Sequence, residues 1–133
     1  MLKVGIIGVG VMGGGHARFI KEHIPDAQVV ALSDVATEKM AALATELDTV
    51  KLTTSDPAEL MNHSEVEAII IASPDPLHKA HLQLAMASGK PTLCEKPIAT
   101  TIKDAREIAA EVKAYETGKG KTDRKSTVCS SHT

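Results

Sequence analysis

Three glycines close to the amino terminus have a spacing that could form a ligand-binding loop. Gly8, Gly10 and Gly13 form G-x-G-x-x-G directly after an apolar segment and at the start of an amphipathic one. The first glycine permits a tight strand-to-helix turn, the second lets the backbone approach a pyrophosphate, and the third lets the helix pack closely on the strand. The free N–H groups at the helix N-terminus favour phosphate at the same place. The predicted cofactor loop comprises Gly8, Val9, Gly10, Val11, Met12 and Gly13.

Gly14 and Gly15 extend this glycine run into the predicted helix. Each glycine inside a helix costs roughly 1 kcal/mol relative to alanine, so the run is a poor choice for stability alone. The alternative is a close-packed strand-to-helix turn that binds no ligand. The carboxylate that follows argues against that alternative.

Asp34 ends the second apolar segment, 21 residues after Gly13. This is the expected type and place for a carboxylate that accepts hydrogen bonds from the adenine ribose. Asp34 could also cap the following helix, and the two roles are compatible. A 2′-phosphate would be repelled by Asp34, and Val35 and Ala36 supply no cation. NAD is therefore predicted over NADP, although Lys39, slightly further on, leaves NADP as an alternative.

Two further polar groups stand at the ends of apolar segments. Ser73-Pro74-Asp75 follows one segment, with His78 at the start of the next helix, and Glu95-Lys96-Pro97 follows another. Ligands of open α/β sheets bind at the carboxyl ends of the strands. Both groups are therefore candidates for the same cleft as the glycine loop.

Alternating apolar and amphipathic segments predict the elements that position these residues. Strands are predicted at 2–8, 28–34, 50–54, 66–72 and 91–95, and helices at 12–24, 37–47, 55–61, 77–88 and 102–115. Along the first helix, Met12, Phe19, Ile20 and Ile24 form an imperfect apolar stripe. Strand–helix alternation with right-handed crossovers predicts an α/β fold with a doubly wound parallel sheet, in a single Rossmann domain.

The length, charge and cysteine content of the chain exclude several classes of partner and site. The chain has 133 residues, the length of one domain, and a net charge of −2, which argues against nucleic acid as a partner. No apolar run reaches the roughly 18–20 residues of a membrane span, so no membrane partner is predicted. Cys94 and Cys129 form neither a disulfide framework nor a zinc pattern, so no metal is expected. The missing secretory signal and the sparse cysteines predict a cytoplasmic location.

Several motifs, in order along residues 2–116, resemble the Gfo/Idh/MocA family of oxidoreductases. They are G-x-G-x-M-G-x-x-H from Gly8 to His16, D-x-x-x-E-K from Asp34 to Lys39, A-S-P-x-x-L-H from Ala72 to His78, the Gly89-Lys90-Pro91 stretch, and L-C-E-K-P from Leu93 to Pro97. The resemblance implies an NAD(P)-dependent oxidoreductase that acts on sugars, cyclitols or their derivatives.

The resemblance also implies roles for individual residues. Lys96 corresponds to the family's active-site lysine, which lies near the nicotinamide and the substrate and would polarise the reacting hydroxyl or carbonyl. Pro97 follows it and could form a cis peptide that re-aims Lys96. The residues expected along the cofactor, besides the glycine loop, are Asp34, Ser73, Pro74, His78, Glu95 and Lys96.

Some positions depart from the family pattern or are expected outside the site. Ser73 stands where the family usually has threonine, and Asp75 where it has asparagine, which adds a negative charge near the cleft. The side chain of Met12 is expected to pack beneath the glycine loop. His16 and His81 are expected to be helix residues packed against their neighbours.

The predicted domain, residues 1–116, ends where a basic segment begins. Residues 117–133 carry four Lys or Arg against one Asp and no periodic apolar face, which predicts a disordered or non-native tail, neither strand nor helix. The family's second, C-terminal α/β domain, which supplies the substrate pocket, is expected to be absent. The sheet edge at 91–95 is then expected to be open and able to pair with another chain, so a homo-oligomer is possible.

Three function classes follow. The first is the cofactor domain of an oxidoreductase that binds NAD(H) but needs a second domain for a sugar or cyclitol substrate. The second is a non-catalytic, redox-sensing nucleotide-binding module. The third is another small Rossmann protein, such as a reductase that acts on dihydrodipicolinate, and the E-K-P and A-S-P motifs argue against it.

Overall fold

The computed structural model describes residues 1–95, 99–119 and 128–130. The strands are β1 Leu2–Ile7, β2 Ala27–Ser33, β3 Leu52–Thr54, β4 Ala68–Ile71, β5 Thr92–Cys94 and β6 Val128–Ser130. The helices are α1 Val11–His23, α2 Thr37–Leu47, α3 Pro57–Met61, α4 His78–Ser88 and α5 Ile102–Lys119. A single 3₁₀ turn, Asp75–Leu77, precedes α4.

The six strands form one parallel sheet in the order β3-β2-β1-β4-β5-β6. The order reverses at β1, whose neighbours are β2 on one side and β4 on the other. A crevice opens at such a reversal, outside the carboxyl ends of the strands. The predicted doubly wound parallel sheet is therefore confirmed, and its ligand crevice must lie beside the end of β1.

Two apolar clusters cover the two faces of the sheet. One packs α1 and α2 on β1 and β2, with Ile6, Leu32 and Leu47 fully buried at its centre. The other packs α3, α4 and α5 on the opposite face. Central strands of a parallel sheet are buried on both sides, which explains why the strand segments are continuous apolar runs rather than alternating ones.

The face that α1 turns to the sheet differs from the predicted one. Its buried residues are Gly13, Gly14, Ala17 and Ile20. Phe19, from the predicted apolar stripe, is 56% exposed instead. The helix begins right beside the strand that it packs on, so close approach of the backbones selects small residues over large apolar ones.

The basic segment contains more structure than its composition predicts. α5 continues to Lys119 instead of ending near 115, and Val128–Ser130 form β6 parallel to Thr92–Cys94. The expectation that this segment holds neither strand nor helix is wrong for those residues, because Val128 and Cys129 suit a strand and β5 offers free backbone groups. The edge of β5 is thus paired within the chain, not open. The domain boundary at residue 116 stays a prediction.

Candidate functional site

A cleft of about 420 Å³ lies at the carboxyl ends of β1, β2 and β4. Its walls come from the turn after β1, the end of β2, the turn after β4 and the start of α3. Residues from three separate strand ends therefore converge where the strand order reverses. The predicted cofactor residues among those that line the cleft are Gly8, Gly10, Val11, Met12, Asp34, Ser73 and Pro74.

The glycine loop is shaped by two close backbone approaches. Gly8 has a φ of +96°, and a Cβ there would lie 2.6 Å from the carbonyl oxygen of Ala72. A Cβ on Gly13 would lie 1.7 Å from the carbonyl oxygen of Gly8. Both positions therefore require glycine for the fold itself, because the turn and the start of α1 leave no room for a side chain.

Gly10 is different, because packing within the protein does not require it. Its φ is −70°, and a Cβ built there meets no atom within 4 Å. The open space beside Gly10 belongs to the cleft, at the N-terminal end of α1. A pyrophosphate fits this position, because the backbone can be approached closely and the helix N-terminus favours negative charge.

Asp34 holds the loop as well as facing the cleft. Its Oδ2 accepts a hydrogen bond from the backbone N–H of Val9 at 2.7 Å, and its Oδ1 accepts one from Ala36 at 2.8 Å. The prediction that Asp34 caps α2 is wrong, because the N-cap residue is Ala36 and no side chain makes a capping hydrogen bond there. The contact with Val9 was not predicted, and it fixes the carboxylate relative to the glycine loop.

The surroundings of Asp34 favour a cofactor without a 2′-phosphate. Val35 is 86% exposed beside it and carries no charge. Lys39 is exposed on α2 and is not among the residues that line the cleft. A 2′-phosphate would meet the Asp34 carboxylate without a cation to offset the repulsion.

Met12 lies at the rim of the cleft and is 54% exposed. The expectation that it packs beneath the glycine loop is wrong. It is the second residue of α1, and the buried side of this turn is taken by Gly13 and Gly14. Val11, 92% exposed, lies at the same rim.

Ser73 is held by two histidines of α4. The Nε2–H of the fully buried His78 donates to the Ser73 carbonyl oxygen at 2.7 Å. The Oγ of Ser73 lies 2.7 Å from Nδ1 of His81, and both Ser73 and His81 line the cleft. Burial, together with the nearby His78, lowers the pKa of His81 below its ordinary value. His78 supports the wall of the cleft from behind, whereas His81, expected only as a packed helix residue, is part of that wall.

His16 and Glu95 link α1 to the end of β5. Nε2 of His16 and Oε1 of Glu95 are hydrogen-bonded, and the Glu95 side chain is only 12% exposed. His16 is thus more than a packed helix residue, because it ties the helix that begins at the glycine loop to the residue before Lys96. Glu95 itself is not among the residues that line the cleft.

The remaining predicted site residues fall into two groups. Val9 is 7% exposed, with its side chain in the core, and Gly13 is buried beneath the loop. Lys96 and Pro97 lie outside the described residues, so the active-site lysine and its cis peptide stay predictions.

The described part of the chain contains neither a metal-binding cluster nor a helix that could span a membrane. Among these residues, no three or more His, Cys, Asp or Glu side chains gather in a way that could hold a metal ion. Within the same ranges, no helix combines the length and hydrophobicity that crossing a bilayer requires.

Known proteins with similar sequences identify the family of this chain. Residues 2–118 match the Gfo/Idh/MocA model, described as an oxidoreductase family with an NAD-binding Rossmann fold. The chain is 38% identical over 120 residues to inositol 2-dehydrogenase 1 of Saccharopolyspora erythraea, covering 90% of this chain and 34% of that protein. It is 36% identical over 114 residues to inositol 2-dehydrogenase of Pseudomonas fluorescens, covering 86% and 34%. The chain therefore spans about a third of the length of these relatives.

Solved structures show the same relationship. Scyllo-inositol dehydrogenase from Lactobacillus casei, with bound NAD(H) and scyllo-inositol, superposes with a TM-score of 0.80 at 27% identity, covering 86% of this chain and 34% of that one. Myo-inositol dehydrogenase from Lactobacillus casei, in complex with NAD(H) and myo-inositol, gives a TM-score of 0.84 at 27% identity, covering 98% and 36%. This chain belongs to the Gfo/Idh/MocA oxidoreductase family and carries its NAD-binding Rossmann domain.

Proposed function

We propose that this chain binds NAD(H) in the cleft at the end of β1 and forms the cofactor-binding part of an inositol or sugar dehydrogenase. The observation that carries the proposal is the joint geometry of Gly10 and Asp34. Gly10 leaves open space at the N-terminus of α1, and Asp34 is fixed by Val9 on the β2 side of that space. A pyrophosphate and a ribose diol are the ligand groups that this arrangement suits.

The two halves of the cofactor would lie on opposite sides of the glycine loop. Asp34, at the end of β2, would accept hydrogen bonds from the adenine ribose. Ser73 and Pro74, after β4 on the other side of β1, would face the nicotinamide half. NAD(H), when bound, supplies hydride acceptance or donation, and the chain's own residues bind and orient it.

Lys96 is the residue proposed to act on the substrate. It follows Glu95, which is held by His16 at the end of β5. A lysine there would hydrogen-bond the reacting oxygen and help to move its proton. This role rests on the E-K-P motif.

The chain alone is proposed to bind the cofactor without turning over a substrate. It spans about a third of the length of the inositol dehydrogenases that it resembles. A substrate such as myo-inositol would need walls on the far side of the nicotinamide. A redox-sensing module, the alternative kept open by the sequence, is not favoured, since the relatives are dehydrogenases.

The test supplies the purified chain with NAD⁺ and myo-inositol and follows the absorbance of NADH. We expect calorimetry to detect NADH binding, while NADH production stays at the rate of the protein-free control. A full-length inositol dehydrogenase at the same molar concentration serves as the positive control. Inositol-dependent NADH production by the chain alone would contradict the claim that it needs a second domain.

A further inference from the structure

The feature that goes beyond cofactor binding by the glycine loop is the pair formed by Ser73 and His81. The Ser73 hydroxyl lies 2.7 Å from Nδ1 of His81, and Ser73 is only 7% exposed. His81 lies three residues after His78 on α4, so the two rings lie on one side of the helix, towards the end of β4. One histidine therefore holds the carbonyl of Ser73 and the other holds its hydroxyl.

The hydrogen bond between Ser73 and His81 determines whether the Ser73 hydroxyl can donate to a ligand or accept from it. Neutral imidazole has one donor and one acceptor nitrogen, and a hydroxyl has one donor hydrogen and two acceptor lone pairs. If the Ser73 O–H donates to Nδ1 of His81, the only side-chain donor of Ser73 is satisfied inside the protein. The lone pairs of Oγ then remain for a group in the cleft. The reverse arrangement would send the hydroxyl hydrogen towards the cleft, where Pro74 and Leu77 are the neighbouring wall.

Burial allows the first arrangement, because it disfavours the doubly protonated ring. The low dielectric around His81 and the proximity of His78 lower the pKa of His81, so its ring is neutral at neutral pH. A neutral ring can leave Nδ1 unprotonated as an acceptor, whereas the doubly protonated ring could only donate.

We propose that His81 is a positioning residue for the nicotinamide half of the cofactor: it orients the Ser73 hydroxyl so that Oγ accepts a hydrogen bond from a ribose hydroxyl. This inference rests on the proposed NAD(H) site and deepens it. The assignment to the nicotinamide half follows from the sheet order, because Ser73 follows β4 and Asp34 follows β2, on opposite sides of β1.

A double-mutant cycle tests the proposal with NADH as the probe, using nicotinamide fluorescence to measure affinity. Ser73→Ala removes the acceptor, and His81→Phe keeps a ring but removes Nδ1. Each change is expected to weaken NADH binding about three- to tenfold, the scale of one hydrogen bond. Because His81 acts through Ser73, the double variant is expected to lose no more than either single variant.

Two controls separate positioning from a loss of structure. His81→Asn places an amide oxygen close to where Nδ1 lies, and it is expected to restore NADH affinity to within about twofold of wild type. ADP, which lacks the nicotinamide ribose, is expected to bind wild type and His81→Phe equally. Thermal melting checks folding, and His81→Ala replaces His81→Phe in the cycle if the larger ring destabilises the chain.

The outcomes distinguish this inference from the proposed function. Wild-type protein that binds NADH, with His81→Phe unchanged, overturns the inference alone. An equal loss of ADP and NADH affinity in His81→Phe also overturns it. So does a double variant whose fold-loss of NADH affinity is the product of the two single fold-losses, or a His81→Asn variant that binds NADH as weakly as His81→Phe. A wild-type chain that does not bind NADH overturns the proposed function, and this inference falls with it.

Discussion

At the scale of single residues, the Asp34 carboxylate combines a structural role with the proposed binding of the cofactor ribose. Each oxygen accepts a backbone N–H, from Val9 and from Ala36. Each oxygen keeps a second lone pair, so hydrogen bonds from a ribose diol remain possible. The carboxylate is therefore held in place before the cofactor arrives.

Asp34→Asn tests this combination. The amide has one acceptor oxygen, so either Val9 or Ala36 loses its partner, and the free energy of unfolding should fall by about 1–3 kcal/mol in urea denaturation. NADH affinity should fall about tenfold with the loss of charged acceptors, whereas NADPH should be less affected because the repulsion is gone. Calorimetric titration with both cofactors measures the ratio of NADH affinity to NADPH affinity. Glu38→Gln, a neighbouring charge loss outside the cleft, is the control, and an unchanged NADH-to-NADPH ratio in Asp34→Asn would count against the assigned role.

Cys94 lies next to Glu95 but is not suited to chemistry. It is fully buried in β5, and burial, with the adjacent Glu95 charge, raises the pKa of the thiol to about 12. A thiol that stays protonated is a poor nucleophile. Structural rather than catalytic use is therefore expected for this cysteine.

The prediction for Cys94 concerns its reactivity and the alkaline stability of the chain. In a Cys129→Ala background, iodoacetamide should leave folded Cys94 unmodified at slightly alkaline pH and label it fully in urea. Because the folded thiol keeps its proton where the unfolded one has lost it, the free energy of unfolding should fall as pH rises from about 9 to about 12. Cys94→Ala should show a shallower fall over that range. Rapid labelling of the folded chain would show that Cys94 is exposed.

Residue types and their spacing were enough to predict the glycine loop and Asp34, but not the contacts made by the histidines. G-x-G-x-x-G and a carboxylate at the next strand end are local patterns with a fixed spacing, so the sequence suffices to identify them. His16 reaches Glu95 across 79 residues, and His81 reaches back over a turn to Ser73. Such pairs depend on how α1 and α4 are rotated on the sheet. The spacing of His78 and His81 by three was a hint that both would share a helix face.

At the scale of elements, α1 is the helix whose approach to the sheet shapes the site. Its buried side is made of Gly13, Gly14, Ala17 and Ile20, and a Cβ on Gly13 would overlap the carbonyl oxygen of Gly8. The apolar stripe predicted from Met12, Phe19, Ile20 and Ile24 was wrong in most positions. Hydrophobic periodicity assumes that large side chains fill the interface, and this interface is set by backbone contact instead.

Glycine-to-alanine changes in α1 distinguish a glycine that the close packing requires from a glycine that it does not require. Gly13→Ala should lower the free energy of unfolding by about 3 kcal/mol or more, because the new methyl group forces the helix away from Gly8. Gly15→Ala, on the exposed side with no atom near its Cβ, should raise it by up to about 1 kcal/mol. Urea denaturation of both variants measures the difference. Equal stability of the two would mean that α1 does not approach β1 as closely as described.

The last strand shows a second limit of sequence patterns. Val128 and Cys129 are two apolar residues in a polar segment, which is too short a run to predict a strand. β6 forms where β5 presents an unpaired edge, so a long-range partner rather than local periodicity creates it. The prediction of an open edge failed for the same reason.

At the scale of the whole molecule, alternation of strands and helices determines most of the architecture. Parallel strands joined by right-handed crossovers allow few arrangements, and the observed order β3-β2-β1-β4-β5-β6 places one reversal at β1. The glycine loop, Asp34 and Ser73 follow the three strands at that reversal. The location of the cleft could thus be predicted before its detailed contacts.

Equilibrium titration of the 133-residue chain with NADH determines whether this cleft binds the cofactor. Gly10→Ala is the informative variant, because its methyl group meets no protein atom and would enter the space assigned to the pyrophosphate. Gly15→Ala is the matched control in the same helix. We predict saturable one-to-one binding by wild type and Gly15→Ala, with at least about tenfold weaker binding by a Gly10→Ala variant that melts normally. No saturable binding by wild type, or equal affinity in Gly10→Ala, would show that this cleft is not the NAD(H) site.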